Sequence, residues 1–169
     1  EVKTPVEEVT EKANSVEQTI SILERLTSGV SMDDESYVGA QVKYQNVLSD
    51  INQTIRDIDD QSEALANRLT EIGPPPSDDS VVEPRTVTET RTQLNSDKSS
   101  LAVKKTELEQ SKLVVQNALN QIAKARQEAF TEAISKRTEI SSSLISDGLG
   151  GITSLYAATL SHFSNWFSF

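Results

Sequence analysis

Asp57, Asp59, Asp60 and Glu63 place four carboxylates within seven residues, a density that could hold a divalent cation. A calcium loop of the EF-hand kind needs Gly at its sixth position and Glu at its twelfth. Counted from Asp57 those positions hold Ser62 and Arg68, and the group lies inside a helical apolar pattern. It reads as a solvated acidic face that pairs with basic residues opposite. Lys98, Lys105 and Lys112 recur at a seven-residue spacing. Such a column could take an anion or a lipid headgroup, or set a register. It reads more simply as lysines at the edge of a packed seam, with stems covering apolar surface while the ammonium reaches water. His162 stands alone, without a second His or an adjacent carboxylate, and reads as a polar interfacial residue. Gly148-Leu149-Gly150-Gly151 lacks the Lys-Ser/Thr of a phosphate loop and follows a helix instead of a strand. Ser141 to Ser143 have neither a nearby His nor the strand-turn-helix setting of a nucleophile. No catalytic residue, metal site or cofactor is assigned.

The composition points the same way. The 169 residues carry 26 Asp and Glu against 16 Lys and Arg, a formal charge of −10. That balance disfavours a nucleic-acid partner, which needs a basic face to displace counterions from phosphates. It also gives no general attraction to anionic headgroups. The absence of Cys excludes disulfide scaffolds, thiolate metal sites and cysteine catalysis. With 6 Gly and few aromatics, the chain suits long helices better than a Gly-rich α/β enzyme or a turn-rich β-sandwich. Neither a signal peptide nor an apolar stretch long enough to cross a bilayer is expected, and the chain reads as mature or cut.

Three apolar seams must position these residues. In the first, Val2, Val6, Val9, Ala13, Val16, Ile20 and Leu23 alternate spacings of four and three, Thr27 interrupts, and Val30 closes the series. Thr4 before Pro5, with Glu7 and Glu8 following, reads as a helix start, and Gly29 as a helix end. In the second, which Asp33 or Asp34 could cap, Tyr37, Gln41, Tyr44, Leu48, Ile51, Ile55, Ile58, Ser62, Leu65, Leu69 and Ile72 keep the rhythm. At about 1.5 Å per residue such a helix runs on the order of 60 Å and needs a partner to bury its seam. Gly73-Pro74-Pro75-Pro76 stops it, because successive prolines neither donate helix hydrogen bonds nor let the preceding residue stay helical. In the third, after an acidic connection and Pro84, Leu94, Leu101, Leu108, Val115, Ile122 and Ala129 recur every seven residues. Residues 31–72 carry nine acids and three bases, residues 84–144 ten bases and seven acids, so an antiparallel pairing of the two is electrostatically complementary.

The tail is a different material. Residues 144–169 have Asp147 as their one formal charge and hold five of the eight aromatics, Tyr156, Phe163, Trp166, Phe167 and Phe169. A polar, uncharged helix rich in Trp and Phe reads as a membrane-interface segment; rings folded back onto the helices are the competing reading.

The fold expected is therefore all-α: an elongated antiparallel coiled-coil helical bundle over residues 1–145, with helices at about 4–30, 33–72 and 84–144. A short aromatic C-terminal helix follows in a juxtamembrane-like tail, 146–169. Its core is expected at Leu48, Ile51, Ile55, Ile58, Leu65, Leu69, Leu101, Leu108, Val115 and Ile122, and its membrane-proximal residues are Tyr156, Phe163, Trp166, Phe167 and Phe169.

The order Ile72-Gly73-Pro74-Pro75-Pro76, an acidic linker, then a Leu-periodic helix reaching Arg126, Phe130, Ile134 and Arg137 resembles one known arrangement. It is similar to the periplasmic N-terminal helical domain, of unassigned function, of some mechanosensitive channels of the small-conductance (MscS) family. That family typically has Leu-Gly-Pro-x-Pro, then Arg, Phe, Leu and Arg at these spacings, then Ser-Pro-Leu before the membrane. Here Ser142-Ser143-Leu144 stands about two residues away from that place and lacks the proline. The resemblance covers roughly residues 37–145. It implies a non-enzymatic domain on the periplasmic side of the bacterial inner membrane, in a homo-oligomeric ion channel that responds to hypo-osmotic stress. A stand-alone coiled-coil interaction protein, a secretion or toxin component with a membrane-contacting tail, is the alternative. Neither reading includes a cofactor.

Overall fold

The computed structural model describes residues 2–27, 33–78 and 80–146. Among them the fold is all-α, with three helices: α1 (Pro5–Thr27), α2 (Asp34–Ile72) and α3 (Arg85–Ser146). By its contacts the chain forms two compact units, Glu1–Ile122 and Ala123–Phe169.

Local chemistry sets the helix ends. Thr4 Oγ1 accepts from the Glu7 amide at 3.2 Å and Glu7 Oε2 accepts from the Thr4 amide at 2.8 Å, a reciprocal capping box. Pro5 follows at the one place in a helix where a missing N–H costs nothing. Of the two candidate caps for α2, Asp33 is the one used: its Oδ1 accepts from the Ser36 amide at 2.8 Å. That bond holds the Asp33 carboxyl below its ordinary range. At the other end Gly73 takes φ 78°, a region side chains avoid, and donates its amide to the Leu69 carbonyl at 3.0 Å. Helix α3 opens on Pro84, whose carbonyl accepts from the amides of Val87 and Thr88. Thr residues are frequent in all three helices. Thr10, Thr54, Thr70, Thr92 and Thr106 each turn the hydroxyl back to the carbonyl four residues earlier, which satisfies it without an outside partner.

Within Glu1–Ile122, cross-helix pairs give the course of the chain. Arg91 reaches the carbonyl of Gly73, and Lys105 reaches Asp59 at 2.6 Å: fourteen residues up α3 match fourteen down α2. Thr27 meets Tyr44 and Lys12 meets Asp57, so α1 and α2 are also antiparallel. Lys104 of α3 lies 3.6 Å from Glu17 of α1, which places each helix against both others.

One core follows from this packing. It joins Ala13, Val16, Ile20 and Leu23 of α1 to Ala40, Tyr44, Val47, Ile51, Ile58 and Leu65 of α2. The α3 contribution is Leu94, Leu101, Leu108, Val115 and Ile122. Of the residues expected in the core, Ile51, Ile58, Leu65, Leu101, Leu108, Val115 and Ile122 are buried, whereas Leu48, Ile55 and Leu69 are half-buried and pack against its edge. The axis of the buried face of α2 is Tyr44-Ile51-Ile58-Leu65, and it widens toward Ala40, Val47 and Thr54. A helix flanked by two neighbours covers a broader arc than a two-helix seam, and small or short residues serve where backbones approach. Thr54 is fully buried, and its hydroxyl is satisfied by the Asp50 carbonyl at 2.7 Å.

In the second unit, the described part of α3 carries Arg126, Phe130, Ala133, Ile134, Arg137 and Ser141 half-buried at helical spacing. Lys136 pairs with Glu132 at 2.8 Å and Lys124 with Glu128 at 3.7 Å. These are exposed pairs one turn apart, worth about 0.2–0.5 kcal/mol each in such helices. The tail aromatics Tyr156, Phe163, Trp166, Phe167 and Phe169, like the predicted helix end at Gly29, lie outside the described residues.

The shifted register has a direct test. Ile51, fully buried, should lose about 3 kcal/mol on truncation to Ala. Half-buried Ile55 should lose closer to ~1 kcal/mol, and Val103, 58% exposed, less than ~0.5 kcal/mol. Urea melts followed by circular dichroism give all three. Equal losses at Ile51 and Ile55 would return the seam to its expected centre line.

Candidate functional site

The densest polar construction among the described residues closes the α2–α3 joint. The three prolines after Gly73 hold the chain extended and leave the last turn of α2 with free carbonyls. Arg91, two turns into α3, supplies what the prolines cannot donate: its Nε gives a hydrogen bond to the Gly73 carbonyl at 3.2 Å. Its Nη1 and Nη2 grip both carboxylate oxygens of Glu83, the former at 2.7 Å. Thr88 donates its hydroxyl to the same carboxylate at 2.9 Å. The side chains of Arg91 and Glu83 are only 12% and 17% exposed, so this bidentate pair is better shielded than the other ion pairs of the chain described here. The guanidinium, helped by Thr88, holds the Glu83 carboxyl down at about 2. Asp78 forms a smaller turn beside it, accepting from the Ser80 amide at 2.9 Å.

Beside the joint, an open groove of about 410 Å³ runs between the last turns of α2 and the first of α3. Ala66, Leu69 and Pro74 give it an apolar floor, and Thr70, Asn95 and Lys98 a polar side. It holds no paired acid and base, and Arg91 at its end is already engaged by Glu83.

The other candidates disperse. Asp57 faces α1, where Lys12 donates to it at 2.6 Å, and Gln53 of its own helix donates to it at 2.8 Å. Asp59 faces α3 and Lys105, while Asp60 and Glu63 are exposed. Residues two apart on a helix point about 200° apart, so the four carboxylates have no common focus. Among the described residues no group of His, Cys, Asp and Glu could hold a metal ion. The lysine column likewise separates: Lys98 lines the groove, Lys105 pairs with Asp59 and Lys112 is half-buried. Lys104, one residue off the column, bridges Glu17 and Glu107. His162 and Gly148 to Gly151 lie outside the described residues, and Ser141 to Ser143 sit on the last turns of α3. Sequence reasoning missed the Glu83–Arg91 clasp, although an acid before a helix and an Arg in its second turn were visible. No helix among the described residues is long and apolar enough to cross a membrane.

Compared with known proteins, the chain matches no family model, no curated protein and no solved structure.

The clasp makes stability depend on acid. Because the folded carboxyl of Glu83 is held below its unfolded value, its contribution is complete above the ordinary glutamate value of 4.5 and is lost as pH falls through about 2. Melting temperatures measured down to that range should drop more in the natural chain than in Glu83→Gln. Arg91→Lys keeps the charge but not the planar fork, and should melt earlier than the natural chain at pH 7. An acid profile identical in Glu83→Gln and the natural chain would show that the clasp contributes nothing.

Proposed function

We propose that this chain is a non-enzymatic helical arm, an antiparallel coiled-coil bundle whose work is mechanical spacing and assembly. The observation that carries this reading is the single core running through all three helices, in which the polar groups are spent on caps, back-bonded Thr and cross-helix pairs. A clasped proline joint turns such an arm back on itself without a flexible hinge.

The resemblance at Ile72 to Pro76 and at Arg126, Phe130, Ile134 and Arg137 gives the arm a setting. In this proposal it is the extracytoplasmic domain of a mechanosensitive channel of the small-conductance family, on the periplasmic side of the bacterial inner membrane. The domain would be present in several copies in a homo-oligomeric channel and would modulate or assemble it during hypo-osmotic stress. The tail, with Tyr156, Phe163, Trp166, Phe167 and Phe169, would lie at the membrane interface as a short aromatic helix, following a coiled-coil domain that ends near residue 145.

Two experiments separate this from a stand-alone coiled-coil effector. An immunoblot of fractionated source cells with an antibody to this domain should show a membrane-bound band several-fold larger than the 169-residue chain. A soluble or secreted band of the size of the chain would retire the channel reading. If the larger protein is found, deleting residues 1–145 should shift its gating tension or lower survival on hypo-osmotic downshock; unchanged values of both would remove the mechanical role.

A further inference from the structure

Helix α3 carries a second patterned face, on the side away from the core. Thr106, Gln110, Leu113, Asn117 and Asn120 follow one another at spacings of four, three, four and three, and all five are exposed. The same 3.5-residue rhythm builds a helix seam, but here no described residue covers it. Leu113 is 61% exposed, and Val114 beside it 42%. From Leu113 on, this face lies in the longest charge-free run in the three helices: the eleven residues 113–123 contain no Asp, Glu, Lys or Arg, whereas exposed Glu109 flanks Thr106 and Gln110. In a chain with 25% charged residues, an exposed helix surface without charge has given up the usual device for staying solvated and apart from other copies. The Asn117 and Asn120 amides make no hydrogen bond to another described residue.

We infer that two copies of this chain associate through the back of α3, over Leu113 to Asn120 and centred on Asn117. Charge selects the occupant. Two copies of a chain with net charge −10 repel wherever their acidic surfaces meet, so they come together most easily where charge is missing. A basic partner would instead be drawn to the acidic faces, and a bilayer surface calls for a broader apolar face than Leu113 and Val114 provide. The residue types suit a symmetric, self-complementary contact. Amide side chains at seam positions pair with their counterparts and fix register, while Leu113 and Val114 supply the apolar contact. One helix face is small beside the ~800 Å² per partner of a stable complex, so the association expected is weak and reversible. It is independent of the channel reading, because it concerns this chain in dilute solution.

Sedimentation velocity on the full 169-residue chain, across a concentration series at low and high salt, tests it. A monomer–dimer equilibrium that tightens with salt is expected, because screening weakens the repulsion of like charges. Leu113→Glu with Asn117→Glu should weaken association by about tenfold or more. Both positions are exposed, so the thermal melt should stay unchanged; Asn117→Glu alone serves if the double variant fails to fold. Asn14→Glu adds charge to an exposed position of α1, outside this face, and should leave association intact. A monomer at every concentration and salt, association unaltered by the paired charges, or an equal loss with Asn14→Glu would each overturn the assignment.

Discussion

The apolar stripe of α2 has to be buried against two neighbours at once, and the rest of the first unit is arranged around that requirement. A helix of 39 residues whose apolar groups lie in one stripe gains little by itself, since tertiary packing stabilises most helices in proteins. Tyr44, Ile51, Ile58 and Leu65 form the axis, and α1 and α3 cover its flanks. Each fully buried aliphatic side chain contributes roughly 1.5–3 kcal/mol before chain entropy is subtracted. The stripe of α3, Leu94 to Ile122 at every seventh residue, is narrower, and half-buried lysines border it. Charges then refine what apolar burial begins. Lys12–Asp57, Lys105–Asp59 and Lys104–Glu17 tie the three helices pairwise, but their side chains are partly exposed, and such pairs select register more than they add stability.

Packing two long helices antiparallel requires a sharp and reproducible reversal, and the chain solves it with rigidity. Gly73 supplies the positive φ, the prolines forbid helical continuation, and Arg91 satisfies a carbonyl left over at the end of α2. Because the same guanidinium holds both oxygens of Glu83, the far end of the connection is fastened to the start of α3 as well. Two helix ends and the loop between them thus share one side chain. The neighbouring groove lies over this joint, and its residues are accounted for by the turn itself.

These features bear on function through what they position. The polar side chains that attract attention in the sequence, the carboxylates from Asp57 to Glu63 and the lysines from Lys98 to Lys112, point in different directions, and Asp57, Asp59 and Lys105 pair with partners on other helices. The mechanical or assembly role proposed above would use such an acidic, patterned surface as it stands. Among the described residues the longest stretch without charge is 113–123 on α3, where the association of a second copy is proposed.

The helix starts and stops were legible in the sequence because they depend on neighbours within four residues: Thr4 with Glu7, Asp33 with Ser36, Gly73 before three prolines. So was the existence of each seam, since a 3.5-residue repeat of Val, Ile and Leu has no use in solvent. Seven of the ten residues expected in the core are buried. The other three, Leu48, Ile55 and Leu69, mark the limit of periodicity: a repeat identifies a face only to within a fraction of a turn. Which flank is deepest depends on where a third helix lies, and the buried face takes in Ala40, Val47 and Thr54, two of them too small to weigh in an apolar pattern. The Glu83–Arg91 clasp was hidden for a related reason, as its partners are eight residues apart across a turn whose path no local rule supplies. Sequence alone determined the elements and their apolar faces, through short-range sterics and hydrogen bonding. Only the tertiary structure decided which edge of each face is sealed and which charges meet, because those follow from the simultaneous fit of three helices.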